Sequence, residues 1–181
     1  MISKGYLLVS DVSLAEDFIF RRSVVLICDK ESKNPMGFIL NKPLEINLSN
    51  IFSGVSKKLK LFFGGPVSED KLFCIHKSEL KLKSSKKITE YLSYGLDLDE
   101  IISKTENGEL DEGNVMFFLG YSGWSDQQLK DELDENFWKI NKDYSKNIFE
   151  KSHENLWNKL TKKMEGDSYI WSNAPENLQD N

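Results

Sequence analysis

The alternation of apolar and polar residues along the chain predicts about six short strands. Each predicted strand is a short apolar or alternating run that is bounded by glycine, proline or polar turn residues. These runs cover residues 5–10, 23–28, 36–41, 72–76, 88–94 and 115–119. Turn-forming residues separate the second run from the third, which predicts an antiparallel hairpin with a loop longer than two residues.

The main predicted helix begins at Ser125, and Gln128 follows at the spacing of a capping box. Its apolar residues recur at helical spacings and form one stripe: Leu129, Leu133, Phe137 and Ile140. Phe137 is therefore predicted to be buried, and its neighbour Trp138 to lie at the margin of the core.

Other segments are predicted to be helical as well. Helices are expected at residues 44–52, from Asp97 onward and at residues 147–164. Residues 14–20 are expected to form a helical turn with Leu14, Phe18 and Ile19 facing inward. Strands at hairpin spacing with a few helices between them predict an α+β fold. We expect one domain over residues 1–172, followed by a tail or strap at residues 173–181.

Composition narrows the classes of function. A net charge of −5 and a pI of about 5.2 argue against direct DNA binding. No apolar stretch approaches the length of a membrane span and no signal peptide is evident, so we expect a cytoplasmic protein with no membrane partner. Its two cysteines, Cys28 and Cys74, are then expected to be reduced.

The strongest candidate for a ligand site is the glycine-rich stretch between the strand at residues 115–119 and the main helix. A strand that delivers a glycine-rich turn to a helix N-terminus offers unpaired N–H groups to an anion. This predicted turn comprises Gly120, Tyr121, Ser122, Gly123, Trp124 and Ser125. An ordinary connection between a strand and a helix has the same arrangement, so the pattern indicates where a ligand site could lie and does not prove that there is one.

Two other groups of residues could carry chemistry. Ser122 superficially resembles a hydrolase nucleophile, but the flanking glycines have the wrong spacing, and a structural turn is favoured. Cys74, His76 and Cys28 could bind zinc, although buried cysteines and a tolerated histidine explain them equally well. We expect no metal and no cofactor.

The two arginines and a second glycine pair complete the candidates. Arg21 and Arg22 are the only arginines, and a guanidinium suits carboxylate or phosphate better than a lysine does. A structural ion pair for Arg22 is the favoured alternative. Gly64 and Gly65, followed by Pro66, predict a tight bend where the sheet curves.

Several sequence blocks in order resemble the YqgE/AlgH family of bacterial proteins. The blocks are GYLLVS, FRRSVVL, MGFILNKP, GGPV, GYSGW followed by Gln128-Leu129, and NAPEN near the end, so the resemblance covers nearly the whole chain. It implies a bent, largely antiparallel sheet that curls toward a pseudo-barrel, with flanking helices. It implies no established activity. Members carry a transcriptional-regulator label, and the resemblance supplies no metal.

Two functional hypotheses remain. The first is a non-enzymatic regulatory or binding protein that holds a small anion or a partner's acidic segment and influences transcription indirectly. Its predicted site residues are Arg22, Gly64, Gly65 and the six residues of the predicted turn. The second is an unrecognised enzyme, such as a phosphate-directed hydrolase, for which the sequence offers no paired carboxylates and no nucleophile–base spacing.

Overall fold

The computed structural model describes residues 2–30, 34–142, 148–149 and 153–164. Ten strands lie in this part of the chain: β1 Leu7–Ser10, β2 Val24–Asp29, β3 Met36–Ile39, β4 Pro43–Asn47, β5 Lys60–Phe63, β6 Val67–Lys77, β7 Lys86–Lys87, β8 Leu92–Tyr94, β9 Val115–Gly123 and β10 Trp138–Asn141. Its four α-helices are α1 Leu48–Ile51, α2 Leu98–Glu106, α3 Asp126–Asp134 and α4 Leu156–Thr161. The predicted tail at residues 173–181 lies outside the described residues.

The strands form one strongly bent, mostly antiparallel sheet. Along its main path the order is β10-β1-β2-β3-β9-β6-β8-β7, and β4 pairs with β5, which in turn pairs with β9. The hairpin predicted from residues 23–28 and 36–41 is present as the antiparallel pair β2–β3. The predicted α+β class, with a largely antiparallel sheet that curls into a half-barrel, is confirmed.

One pair of strands departs from the antiparallel pattern. β5 runs parallel to β9, with Leu61 opposite Phe117 and Phe63 opposite Leu119. Parallel neighbours begin at the same edge of a sheet, so the residues at the start of β5 lie beside those at the start of β9. The chain between these strands contains β6, which pairs with the other side of β9.

Side-chain alternation on β2 separates two apolar cores. Val24 and Leu26 face a core that is closed by α4 residues such as Leu156 and Leu160, which we name the α4-side core. Val25 and Ile27 face a core that contains Leu129 of α3, which we name the α3-side core. A further cluster lies under α2, around Ile101. Alternate residues of a strand point to opposite faces, so β2 is buried on both sides.

The predicted turn at residues 120–124 is wrong for most of its length. β9 continues through Gly123, and Val67 of β6 pairs with Tyr121 while Met36 of β3 pairs with Gly123. Gly120 has φ of 69°, and the β6–β9 register shifts between Val67 and Leu72. A glycine in the left-handed region therefore bends this strand instead of ending it. Residues 44–47, predicted as part of a helix, belong to β4, and only the four residues of α1 follow them.

The helix that starts at Ser125 is shorter than predicted. The Ser125 hydroxyl accepts from the Gln128 N–H at 3.1 Å, so the predicted cap is present, but α3 ends at Asp134. Asn136 then adopts φ of 60°, and the chain turns into β10, which pairs with β1. Trp138 is consequently 4 % exposed, and its predicted position at the margin of the core is wrong. A change from helical to strand periodicity after Asn136 explains the error.

Candidate functional site

The two predicted glycine segments meet where β5 ends against β9. The Gly64 N–H donates to the Leu119 carbonyl at 2.8 Å, and the Gly64 carbonyl accepts from Ile39 N–H at 3.0 Å. A Cβ on Gly64 would come closer than 3.0 Å to the Gly120 carbonyl oxygen, and one on Gly65 would do the same to Ser122. These glycines therefore allow two backbones to approach closely.

Ser122 belongs to this backbone crossing. Its hydroxyl is fully buried and donates to the Gly64 carbonyl at 3.1 Å. Four of the predicted site residues, Gly64, Gly65, Gly120 and Ser122, are thus brought together, and all four are buried. The resemblance of Ser122 to a hydrolase nucleophile has a structural explanation, because its proton is used to tie β9 to the end of β5.

The remaining residues of the predicted turn spread over both faces of the sheet. Tyr121 packs its ring edge-on against Phe73 at 5.6 Å, beside the α4-side core. Gly123 and Ser125 are exposed. The Trp124 indole lies in the α3-side core, where it is 4 % exposed.

Trp124 is part of an aromatic cluster with Phe20 and Trp138. The two indoles meet edge-on at 6.0 Å, and Phe20 lies 5.5 Å from Trp138 and 6.1 Å from Trp124. One carboxylate oxygen of Glu132 accepts both indole N–H groups, at 2.8 Å and 2.7 Å. Glu132 therefore provides the hydrogen-bond acceptor that the two buried indole N–H groups would otherwise lack.

Phe20 belongs to a loop that precedes β2, which we name the 17–22 loop. The Asp17 carboxylate accepts from the N–H groups of Ile19 and Phe20, both at 2.8 Å. Arg21 N–H donates to the Asp17 carbonyl at 2.9 Å, and the Ser23 hydroxyl donates to the Ile19 carbonyl at 3.2 Å. An aspartate that holds the backbone two and three residues ahead is a common turn device. The loop is thereby fixed from both ends.

The outer surface of the 17–22 loop is apolar and basic. The Phe18 side chain is 82 % exposed, and Ile19 is also exposed. The Arg21 guanidinium lies 5.4 Å from the centre of the Phe18 ring, within the range of a cation–π contact. The Lys42 ammonium donates to the Ile19 carbonyl, and its pKa is lowered by burial and then by the charge of Arg21.

The prediction that Phe18 and Ile19 face inward is wrong. Residues 15–22 form successive turns instead of a helix, so the inward position falls to Phe20. The sequence contained a signal for this arrangement. An aspartate side chain commonly accepts hydrogen bonds from the backbone N–H groups two and three residues ahead, so Asp17 favours a turn over the residues that follow it.

Arg22 lies at the end of the same loop but on the other face. It has φ of 50°, its guanidinium lies 5.4 Å from the centre of the Trp157 ring, and its carbonyl accepts from the Asn41 amide at 2.8 Å. Trp157 belongs to the α4-side core, whereas Trp124 belongs to the α3-side core. The structure therefore does not bring the Arg22 side chain and Trp124 to one face.

The residues proposed for zinc are engaged by protein groups. The Cys74 thiol donates to the Gly95 carbonyl, and burial raises its pKa to about 12. His76 is fully buried, with Nδ1 2.8 Å from the Lys77 carbonyl and Nε2 2.7 Å from the Ser85 hydroxyl. A carbonyl can only accept, so Nδ1 carries the proton and Nε2 accepts from Ser85. Cys28 lies in a different apolar cluster from Cys74.

Comparison with known proteins identifies relatives over nearly the full length. The AlgH-like family model matches residues 7–169. A UPF0301 protein of Cytophaga hutchinsonii is 36 % identical over 97 % of both chains. A UPF0301 protein of Bacteroides fragilis is 33 % identical over 97 % of this chain and 90 % of its own.

Two solved structures have the same fold. A protein from Corynebacterium diphtheriae is similar with a TM-score of 0.75 and 20 % identity, over 95 % of this chain and 92 % of its own. The solution structure of the AlgH protein from Pseudomonas aeruginosa is similar with a TM-score of 0.74 and 22 % identity, over 95 % and 94 %. Among the described residues, no helix has the length and apolarity that crossing a bilayer requires.

Proposed function

The chain belongs to the AlgH-like family, and from that premise we propose that it is a non-enzymatic binding protein that docks an acidic segment of a protein partner on the 17–22 loop. The observation that carries the proposal is the 82 % exposure of Phe18 beneath Arg21, on a loop whose backbone is fixed by Asp17. Through such a partner the protein influences transcription indirectly, in the cytoplasm.

The apolar part of this surface supports a protein partner. Phe18 leaves its ring in water although the next aromatic residue, Phe20, is half-buried against the α3-side core. Burying a phenylalanine side chain in an interface releases about 1.5–3 kcal/mol. Aromatic residues and arginine are the side chains enriched at interfaces, and Phe18 and Arg21 already stack on each other. The partner is therefore expected to provide an apolar pocket for Phe18.

The charges around Phe18 support an acidic partner. Arg21 lies over the Phe18 ring and Lys42 donates to the Ile19 carbonyl, whereas the Arg22 side chain lies on the other face, and Glu16 and Asp17 contribute two carboxylates. One oxygen of Asp17 is already occupied by two backbone N–H groups. Arg21 and the exposed Phe18 ring therefore form a small cationic and apolar patch in a chain of net charge −5. Such a patch favours a partner segment that carries carboxylates, and binding should weaken with salt.

The fixed backbone of the loop also supports binding. A flexible loop would lose conformational freedom when a partner orders it, which lowers affinity. Here the Asp17 carboxylate, the Ser23 hydroxyl and the packing of Phe20 hold the loop before any partner arrives. Phe18 is therefore presented with little additional ordering cost beyond its own side chain.

The charge of the helices favours a partner protein over DNA as the route to transcription. α3, the helix that begins at the end of β9, contains one lysine and four carboxylates over Asp126–Asp134. A helix of this charge is repelled by phosphate groups. The enzyme alternative gains no specific support, since the Ser122 hydroxyl is buried and bonded to Gly64.

A photocrosslinking experiment tests the proposal. A benzophenone amino acid is placed at position 18 in one protein and at position 91 in another, because Tyr91 is also exposed but lies elsewhere. After irradiation in cells, the crosslinked segment of any partner is sequenced and synthesised. We expect position 18 to yield an acidic segment with an apolar residue, and position 91 to leave it unlabelled.

Binding of the synthetic segment to the purified chain then decides the mechanism. Phe18→Ala should weaken it by about 30-fold, equivalent to about 2 kcal/mol, whereas Tyr91→Ala should have no effect. Arg21→Gln should weaken it as well and reduce its salt dependence. Labelling at both positions alike, a segment without carboxylates, or equal affinity of the Phe18→Ala variant would refute the proposal.

A further inference from the structure

The Ser85 hydroxyl and the His76 ring form a nucleophile–base pair that takes no part in partner docking. Ser85 belongs to the stretch of residues 81–87 that follows β6, which we name the 81–87 segment. Its hydroxyl oxygen lies 2.7 Å from Nε2 of His76 and 3.4 Å from the Lys83 carbonyl oxygen. The hydroxyl has one proton, and the shorter contact receives it, so Ser85 donates to the unprotonated nitrogen of the ring. This is the contact by which a neutral imidazole activates a serine.

The His76 ring is oriented and neutral, as a general base must be. Nδ1 donates to the Lys77 carbonyl at 2.8 Å, which leaves Nε2 free to accept. The strands on either side place the uncharged residues Ser93 and Val115 opposite His76. Burial lowers the pKa of His76, whereas the bond to Lys77 and the charge of the Glu100 carboxylate act in the opposite direction. The ring is therefore neutral at pH 7, and Glu100 stabilises the imidazolium that forms when the ring takes a proton.

The 81–87 segment holds Ser85 in place and leaves it accessible. Leu82 is buried in the cluster under α2, and the Lys83 N–H donates to the Glu100 carboxylate at 2.6 Å. A Cβ on Gly95 would lie 2.8 Å from the Ser85 Cα, so the segment packs closely against the chain after β8. Ser85 itself is only half-buried. A small reagent can therefore approach a hydroxyl whose position is already fixed.

A lysine lies on the same face of the sheet as His76. His76 pairs with Ser93 of β8, and Ser93 pairs with Lys87 of β7. Paired residues point to the same face, so Lys87 lies on that face two strand spacings, or about 10 Å, from His76. Lys86 points to the other face, where its ammonium lies 3.9 Å from the Asp29 carboxylate. The four lysines of the 81–87 segment are all exposed, which suits a reagent that carries a phosphate group.

We propose that Ser85 accepts an acyl group from an acyl phosphate, with His76 as the general base and Lys87 beside the phosphate. The Ser85 oxygen forms a bond to the carbonyl carbon while its proton passes to Nε2 of His76. The bond from that carbon to the phosphate oxygen then breaks, and His76 returns the proton to the departing phosphate. The products are an ester on Ser85 and inorganic phosphate. This modification is separate from the 17–22 loop, so either proposal can fail while the other holds.

Incubation of the purified chain with acetyl phosphate, followed by mass spectrometry of its peptides, tests this inference. We expect one acetyl group on Ser85 that hydroxylamine removes, because hydroxylamine cleaves esters and leaves the amides of acetylated lysines intact. Ser84, the exposed serine beside it, is the matched control. It should react about 100-fold more slowly, since general-base catalysis contributes at least this factor. Absence of an ester at Ser85, or a phosphoryl group there in place of the acetyl group, would overturn the proposal.

The dependence on His76 separates an activated serine from one that is merely exposed. His76→Gln should slow ester formation at Ser85 by about 100-fold, with urea denaturation as the check that the variant is folded. In the unaltered chain the rate should be half-maximal below pH 6.5, because only the neutral ring accepts the proton and burial lowers its pKa. The pH profile decides the question if the variant does not fold. An unchanged rate in folded His76→Gln, or a rate that rises with pH as lysine acetylation does, would overturn the proposal.

The choice of an acyl phosphate is tested with an uncharged donor and a pair of lysine variants. Lys87→Met should slow the reaction with acetyl phosphate by about threefold, the effect of one exposed charge pair. It should not slow the reaction with the acetyl thioester of N-acetylcysteamine, which carries no phosphate. Lys86→Met is the matched control, because this lysine lies next in sequence but on the other face. Equal effects of the two lysine variants, or equal slowing of both donors by Lys87→Met, would refute the role of the phosphate.

Discussion

Replacing Gly64 by alanine should destabilise the fold strongly, because this glycine lets β5 pass close to β9. A Cβ on Gly64 would lie nearer than 3.0 Å to the Gly120 carbonyl oxygen, a separation that real Cβ atoms essentially never show. The obstructing atom is backbone, so no side-chain rotation can relieve the overlap. Gly64 does not have positive φ, and the effect therefore comes from crowding alone.

The magnitude follows from two contributions. Forcing an additional carbon into a packed interior costs about 1–3 kcal/mol. Moving the Gly64 backbone also weakens the hydrogen bond from Ser122, which contributes about 1 kcal/mol. The sum of about 2–4 kcal/mol corresponds to a fall in Tm of roughly 5–15 °C for a chain of this length.

Urea denaturation followed by tryptophan fluorescence measures the change, with Gly123→Ala, at the end of β9, as the control. Gly123 is exposed, and the nearest atom to its Cβ would be a ring carbon of Tyr121 at 3.3 Å, so its variant should remain within about 1 kcal/mol of the parent. Ser122→Ala should cost about 1 kcal/mol, since the Gly64 carbonyl keeps its bond from Ile39. A Gly64→Ala protein as stable as the Gly123→Ala protein would refute the reasoning. Ligand binding would then be the remaining explanation for these glycines.

Two further predictions concern pH and capping. Burial lowers the pKa of His76 below the ordinary value that it has in the unfolded chain. Just below that ordinary value the folded chain therefore binds fewer protons than the unfolded chain. The contribution of His76 to stability is fully present above the ordinary pKa and is lost as the pH falls below it. The urea midpoint should therefore decrease from about pH 7.5 to about pH 5.5, and less so in His76→Gln, while His153 retains its own share of the slope. Asp97→Ala should cost about 1 kcal/mol in the same assay, because it removes the bond from Glu100 N–H that begins α2, whereas Asp97→Asn should cost little. A slope unchanged in His76→Gln, or equal stability of the two Asp97 variants, would contradict these expectations.

Local sequence signals predicted the elements that depend on neighbouring residues only. The β-branched run before Cys28 became β2, and the caps at Asp97 and Ser125 begin α2 and α3. The family resemblance supplied the bent sheet, which is confirmed. The strands and the helix caps could be predicted from the sequence because strand periodicity and cap chemistry depend on residues a few positions apart.

The placement of aromatic residues was decided by tertiary structure. Trp138 continues the apolar pattern of the preceding helix, yet it is buried from β10 because the chain reverses at Asn136 and pairs with β1. Phe18 and Phe20 are equally apolar, but the Asp17 turn and the two indoles direct Phe20 against the α3-side core and leave Phe18 exposed. Burial depends on what lies opposite a side chain, which the order of residues does not state.

The candidate sites show the same division. The sequence alone marked both glycine segments, the double arginine and the cap at Ser125 as unusual positions. Only the tertiary structure revealed that Gly64 meets Gly120, that Arg22 and Trp124 attach to opposite faces, and that the Ser85 hydroxyl bonds to His76. These relations arise from pairing between distant strands, above all the parallel contact of β5 with β9, and long-range pairing leaves no local pattern in the sequence.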